Sequence, residues 1–480
     1  MEEGVVLERL ISPINQSTSQ THRIFFFKAW CKDEYSICDV PITMTFLQSF
    51  SLRMVSQGLF FVIAFANNVL ITRALGPEGR GYYALLATTV AVLVMLLGEG
   101  IRQSNAYLVG KNSDRAPQLF SNTLFYGGAV ASVLLFLYWA GRRSLPIPYL
   151  GDGEALILFT LLIAIASILF QGLGSILLGL ERMIEYNVIP VVFIFFYFCA
   201  NILALKILKL GLTGVMYSWL LTSVLTFVLA AVFLKNISRL GRAFDAGLFY
   251  SSLRIGLKAT VISVILVLLY RSDVYLVNYF LGAKLTGIYS IAILFAEMLQ
   301  KVPDVAGTVL FSKIASATQQ EGDQLTAKVS RGIFWMTLLA ALGLVFLGRQ
   351  LIPFLFGRSF VDSYLPLIFM LPGVLAVATG SVVNTNLWRR GYPTMSVIAP
   401  AVALCVNIVL NLLLIPAMGL IGAGLATAVA YSMWGVLILG YFSRNSAFSF
   451  RDLILLRAED FAFIRGSNNV LNYLVHRWRR

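Results

Sequence analysis

Six ionisable side chains stand inside or at the ends of long apolar runs: Glu99 and Arg102 in GEGIRQSN, Arg271 and Asp273 in YRSDVY, and Lys301 and Asp304 in QKVPDVAG. A charge at the bilayer centre costs ~2.5–3.5 kcal/mol on insertion scales, so such residues mark ion or substrate pathways by default. A carboxylate at the depth of Asp273 suits a small cation or a proton. The alternative is that Asp273 pairs with Arg271 or caps a broken helix near the surface. The pairs Glu99/Arg102 and Lys301/Asp304 read either as gates or as the ordinary ends of two helices, where charges are cheap. Both histidines, His22 and His476, lie near the termini, which leaves no membrane-embedded His base, His metal site or Ser-His-Asp triad. No catalysis and no cofactor is expected.

These side chains must be positioned by membrane-spanning elements. Of 480 residues, 58% are hydrophobic and 12% charged, against ~25% charged in an ordinary soluble domain. Apolar stretches of about 20 residues, the length that crosses a bilayer as helix, recur from Met54 to Phe442. Twelve are predicted, at about 54–75, 82–108, 117–141, 155–180, 187–206, 212–234, 256–281, 286–312, 330–348, 363–388, 393–416 and 419–442. Runs such as VISVILVLLY are apolar on every side, which argues against the alternating pattern of a β-barrel. The formal charge of +14 would suit nucleic acid, but its placement reads as topology: with a cytoplasmic N-terminus, 27 of the 37 Lys and Arg fall on the inside. The positive-inside rule then puts both termini in the cytoplasm.

An internal repeat organises the chain. LGPEGRGYY ends the first span and LGAKLTGIY the seventh, so Leu75, Gly76, Gly81 and Tyr83 correspond to Leu281, Gly282, Gly287 and Tyr289 at an offset of 206. Cys199, Asn201 and Ile202 match Cys405, Asn407 and Ile408 at the same offset, and GLTG matches GLIG at 208. Six spans per repeat is an even number, so the halves run in the same direction and substrate is expected between them near the midplane. The fold class is therefore an all-α membrane protein of about twelve helices in two parallel six-helix repeats. The predicted segments are an extension at 1–43, an N-terminal bundle at 44–240, a C-terminal bundle at 250–443 and a basic cytoplasmic tail at 444–480. A translation start at Met44 and a cytoplasmic tail are the two readings of the extension. The C-terminal tail reads as an interfacial helix on anionic lipid or as a solvated segment.

The repeat sets Asn67 opposite Asp273 in the alignment, an amide in one half for a carboxylate in the other. Asn201, Asn384, Asn386, Asn407 and Gln171 could meet sugar hydroxyls, although intramembrane amides more often join helices. Pro303, Gly98 and Gly100 are expected to loosen the helices that carry the two charged pairs. Cys31, Cys38, Cys199 and Cys405 give no disulfide framework.

The segments ITRALGPEGRGYYAL, SDVYLVNYFLGAKLTGIYSIAILFAEML and NIVLNLLLIPAMGLIGAGLATAVAYSMWG resemble the polysaccharide flippase family, within the multidrug/oligosaccharidyl-lipid/polysaccharide exporter superfamily. The resemblance runs from about Met44 to Phe442. It implies two six-helix bundles around a V-shaped central cavity, and transport of undecaprenyl-pyrophosphate-linked oligosaccharide from the cytoplasmic to the periplasmic leaflet of a bacterial inner membrane. On that footing Arg73, Arg102, Arg271, Lys301 and Asn67 are candidates for substrate binding, and Asp273 and Glu99 for a coupling Na⁺ or H⁺. A cationic cavity would suit the pyrophosphate through charge-assisted hydrogen bonds. The implied partners are the lipid-linked oligosaccharide, the coupling ion and anionic lipids, with no nucleic acid. A monomer associated with polymerase machinery is expected. The alternatives are a multidrug/cation antiporter of the same superfamily, with an acidic cavity, and a polysaccharide polymerase.

Overall fold

The computed structural model describes residues 46–141, 153–235, 244–315, 317–391, 393–457 and 460. The extension at 1–43, both histidines, Cys31, Cys38 and the tail past 460 lie outside the described residues. From Ser49 the chain forms one compact unit. It is built from α1 (Phe46–Leu97), α2 (Glu99–Lys111), α3 (Ala116–Gly141), α4 (Gly153–Gly179), α5 (Met183–Ile202), α6 (Gly211–Phe233), α7 (Ala246–Ile314), α8 (Gln319–Phe356), α9 (Tyr364–Arg389), α10 (Met395–Met418), α11 (Leu420–Arg444) and the short α12 (Phe450–Ile454). Among the described residues ten helices are long and apolar enough to cross a membrane.

Ten rather than twelve arises because two pairs of predicted spans are each joined end to end. Helix α1 runs through Gly76 at φ 67°, ψ −176°, and α7 through Gly282 at φ 80°, ψ 174°. That backbone region is essentially closed to any residue with a Cβ, so glycine is required at both kinks. The two positions are 206 apart, so the repeat legible in the sequence is also a repeat in backbone conformation. Counting the arms of α1 and α7 separately divides these ten long apolar helices of the described residues into twelve segments.

The kinked helices meet each other immediately beyond their kinks. A Cβ on Gly81 would lie 1.8 Å from the carbonyl oxygen of Ala283, and one on Gly287 would lie 1.8 Å from that of Pro77. Residues 77 and 283, like 81 and 287, are repeat equivalents, so the contact is an isologous one made within a single chain. A second close approach joins α2 to the first arm of α7: a Cβ on Gly256 would lie 2.6 Å from the carbonyl oxygen of Gly100. Gly100 and Gly256 are each roughly 36–39 Å of helix from the kinks, near the opposite end of the unit.

Around these crossings, α4 packs on α2, α3 and α6, while α9 packs on α7, α8 and α11. The largest buried cluster draws on Leu269, Tyr289, Phe295, Phe356, Phe360 and Trp434, and smaller ones surround Leu173, Ile163 and Tyr197. Asn122 fastens the start of α7 by donating to the carbonyl oxygen of Asp245 at 3.0 Å and accepting from its N–H at 3.1 Å. The Asp245 carboxylate in turn caps the helix by accepting from the N–H of Leu248 at 2.9 Å.

The start of the C-terminal tail is docked on protein. Leu453 is fully buried, Trp335 Nε1 donates to the carbonyl oxygen of Ile454 at 3.0 Å, and Ser330 Oγ to that of Leu453 at 3.1 Å. Arg331 donates to Asp460 through Nε at 2.6 Å and Nη2 at 2.7 Å. The tail's first segment is thus held to α8 on one side, while Phe450, Leu455 and Leu456 remain exposed.

Two outcomes follow. Gly81→Ala and Gly287→Ala each force apart two backbones already in contact, so each should lose ~1–3 kcal/mol and lower the thermal midpoint of the purified protein in detergent. The hydrogen bonds from Arg331 hold the Asp460 carboxyl below its ordinary range. A depressed carboxylate pKa stabilises docking above the unfolded value of ~3.9 and loses that stabilisation as the pH falls through the folded value. The Trp335 emission, isolated by subtracting a Trp335→Phe spectrum, should therefore shift to the red only below about pH 4.

Candidate functional site

Two adjoining cavities lie along α1, α2 and α7. The first, about 440 Å³, is lined by Ala91 and Met95 of α1, Glu99 of α2, Ser263, Tyr270, Arg271, Asp273, Ile293, Glu297, Gln300, Lys301 and Asp304 of α7, Met370 of α9, and Thr427 and Tyr431 of α11. The second, about 470 Å³, shares Met95 and Glu99 with it and adds Gln57 and Phe60 of α1, Arg102 of α2, Phe170 and Gln171 of α4, and Asn187, Pro190 and Phe193 of α5. Five of the seven candidates read from the sequence, Glu99, Arg102, Arg271, Asp273 and Lys301, line this double cavity. Asn67 and Arg73 do not appear in its lining.

The bases of the cavity are paired. Arg102 donates to both oxygens of the buried Glu99, through Nε at 2.8 Å and Nη2 at 2.5 Å, and Gln103 adds a third donor at 2.8 Å. The three-residue spacing within one helical turn brings them together, and the turn at Gly98 starts α2 so that Glu99 faces inward. Arg271 meets Glu297 at 2.8 Å across the two arms of α7. Lys301 and Asp304, both well exposed, stand 3.7 Å apart. The pair reading as gate candidates is thus supplemented by a third pair, and Arg271 turns to Glu297 rather than to Asp273. Pro303 passes within α7, whose only non-helical residue is Gly282, so the loosening expected there occurs at Gly98 alone.

Asp273 is 2% exposed. It accepts from Tyr289 Oη at 2.7 Å, Thr427 Oγ1 at 3.4 Å and the N–H of Val274 at 2.8 Å. Tyr289 belongs to the second arm of α7 and Thr427 to α11, so three helical segments converge on one carboxylate. Beside it Ser272 donates to Asn407 Oδ1 at 3.2 Å, as does Asn411 at 3.0 Å. In the other repeat, Asn67 accepts from Asn201 at 3.0 Å, whereas their repeat equivalents Asp273 and Asn407 bond to other partners. Asn67 and Asp273 therefore sit in separate clusters. Asn386 joins α8 and α9 through Gly322, Asp323 and Thr326, and Asn384 accepts from Ser396, which is the helix-joining role rather than sugar binding. Arg73 donates to the carbonyl oxygens of Leu355 at 2.7 Å and of Phe354, closing the end of α8.

The charge of the first cavity runs against the cationic lining expected. Glu99, Asp273, Glu297 and Asp304 face Arg271 and Lys301, four acids to two bases. Glu297 was missed by the sequence reading, although Glu297, Lys301 and Asp304 stand at i, i+4 and i+7, one face of a helix. Arg80 was missed too: it reads as an outside-loop base, yet the helix resumes directly after Gly76 and buries it.

A many-span helical protein whose kinked helices cross beside a charged internal cavity has the build of a membrane transporter. The chain belongs to the polysaccharide biosynthesis protein family, whose model matches residues 70–365. It is 23% identical over 183 residues to the Haloferax volcanii protein named "Probable low-salt glycan biosynthesis flippase Agl15", a match covering 37% of this chain and 39% of that relative's length. Its fold matches that of the lipid II flippase MurJ in an inward closed conformation, with a TM-score of 0.65 and 17% identity over 88% of this chain and 97% of that one. It also matches an inward-facing multidrug resistance MATE family transporter of the MOP superfamily, with a TM-score of 0.61 and 15% identity over 83% and 99%.

Removing the carboxylate at 273 separates its roles. Asp273→Ala takes the carboxylate acceptor from the buried Tyr289 hydroxyl, leaving it only Thr427 Oγ1 at 3.3 Å, and should cost ~1–3 kcal/mol, read as a lowered thermal midpoint. Asp273→Asn retains an acceptor and should melt close to the native protein.

Proposed function

We propose that the protein is a flippase that carries undecaprenyl-pyrophosphate-linked oligosaccharide from the cytoplasmic to the periplasmic leaflet of a bacterial inner membrane, for polysaccharide assembly. The observation that carries this reading is the set of three carboxylate-paired bases, Arg102, Arg271 and Lys301, around one double cavity in a member of a polysaccharide biosynthesis family. A pyrophosphate entering the cavity offers each base a replacement for its carboxylate, through charge-assisted and, for arginine, bidentate hydrogen bonds. Exchange of partners lets the cavity hold an anion without leaving a base uncompensated when empty. The polyprenyl chain stays in lipid while the headgroup crosses.

Movement is by alternating access: the bundles at 44–240 and 250–443 rock about the crossing of α1 and α7, opening a V-shaped cavity to each side in turn. Asp273 is the group that takes the coupling Na⁺ or H⁺, since it ties both arms of α7 to α11 and a bound cation changes those ties. Glu99 serves Arg102 as resting counter-charge. This is transport rather than enzymatic chemistry, and both termini face the cytoplasm.

The excess of acids in the first cavity favours a second reading, an antiporter for organic cations on the same fold. One assay separates them. Liposomes holding the protein and a fluorescent undecaprenyl-pyrophosphate oligosaccharide are treated with an external sugar-modifying enzyme, and a parallel set is loaded with a cationic dye. The flippase should expose glycan well above empty liposomes, Arg271→Ala should slow this at least tenfold, and Asp273→Asn should abolish its response to an ion gradient. Exposure equal to that of empty liposomes together with dye export would replace the flippase by the antiporter.

A further inference from the structure

Among the described residues two arginines are buried, Arg80 at 5% and Arg331 at 4% exposure. Arg331 has the carboxylate of Asp460. Arg80 has none: its partners are Ser290 Oγ, to which Nε donates at 3.0 Å, Asn68 Oδ1, to which Nη1 donates at 3.1 Å, and the face of Tyr83, 5.1 Å from the guanidinium carbon. A guanidinium carries five N–H donors, so three of Arg80's have no protein acceptor. Burying an ion without a paired counter-ion is costly, and the carboxylate that acts on Arg80, Glu297, does so only at longer range, being itself paired with Arg271.

Its location explains when a counter-charge could arrive. Arg80 immediately precedes Gly81, so it sits at the isologous crossing of α1 and α7, with Ser290 contributed from beyond the kink of α7 and Asn68 and Tyr83 from α1. Parting the two helices at this crossing removes Ser290 and frees Nε, while Nη1 keeps Asn68 of the same helix and Nη2 stays without a protein acceptor. The bases that line the cavities each keep a carboxylate, whereas Arg80, at the crossing and outside that lining, has a charge available without breaking an ion pair.

We propose that Arg80 binds the pyrophosphate of the lipid-linked substrate in the conformer whose kink end is open, and that in the closed conformer Ser290, Asn68 and Tyr83 hold the vacant guanidinium. The proposal rests on the flippase reading and adds a second anion-binding point to it, beyond the paired bases of the cavity. The planar fork meets two phosphate oxygens at once, a geometry lysine lacks.

The test uses full-length protein in nanodiscs of neutral lipid, with undecaprenyl pyrophosphate as the probe. Arg80→Gln should weaken binding at least tenfold, Arg80→Lys should fall between it and the native protein, and inorganic pyrophosphate should compete with the probe. Arg80→Gln should melt no lower than the native protein, because it removes a buried charge. A structural role predicts a lower midpoint and unchanged affinity. Binding by the folded variant (Lys if Gln does not fold) within twofold of native overturns the proposal, as does competition by phosphatidylglycerol but not by inorganic pyrophosphate. Glycan exposure in liposomes keeps the two readings apart: native exposure with an equally active Arg80→Gln overturns Arg80's role alone, whereas no native exposure overturns the flippase reading and this proposal with it.

Discussion

The backbone contact between α1 and α7 is the constraint on which the remainder of the molecule depends. Two helices can approach until one carbonyl oxygen lies 1.8 Å from where a Cβ would stand only if that Cβ is missing on both sides. Glycines at 81 and 287 permit the approach, and glycines at 76 and 282 permit the bends that aim the arms at each other. In lipid, where apolar burial gives little drive for helices to associate, close packing through small residues is a principal source of association. The crossing holds the second arms of both helices beside a shared space, which the α1 arm lines with apolar residues and the α7 arm with charged ones.

Charge is then distributed by what each side chain can reach. Glu99 and Arg102 find each other within one turn, Arg271 and Glu297 across a bend, and Arg331 and Asp460 across the sequence. Asp273 is stabilised instead by hydroxyls and a backbone N–H. The two repeats diverge most at this point: one keeps a carboxylate, the other an amide pair of Asn67 and Asn201. Equivalent positions in the two repeats thus differ both in charge and in the partners that hold them. Arg80 lies outside this scheme of paired charges, at the joint itself.

Much of the fold was legible before any coordinates. Apolar runs of bilayer length fixed the class and nearly all of the spans, and the repeated LG…G.Y pattern anticipated where α1 and α7 would bend. Charges within apolar runs located five residues of the double cavity, because the cost of burying a charge in lipid leaves few reasons for one to be there. Glu297 was accessible to the same rule. The partner of Arg271 was not legible: nearness in sequence suggests Asp273, two residues away, but side chains at i and i+2 on a helix point to different faces, and Glu297 lies across the bend.

What sequence by itself determined is whatever depends on a single segment's chemistry: which runs enter the bilayer, that the glycine-bearing LG…G.Y segments recur at the ends of the first and seventh spans, and that Glu99 and Arg102 stand within one turn. Only the tertiary structure decided that Arg73 closes the end of α8, that the tail docks through Asp460, that acids outnumber bases in the first cavity, and that Arg80 is buried at the crossing. Each of these is set by which helices lie side by side. That is a property of packing between segments distant in sequence, and local periodicity carries no record of it.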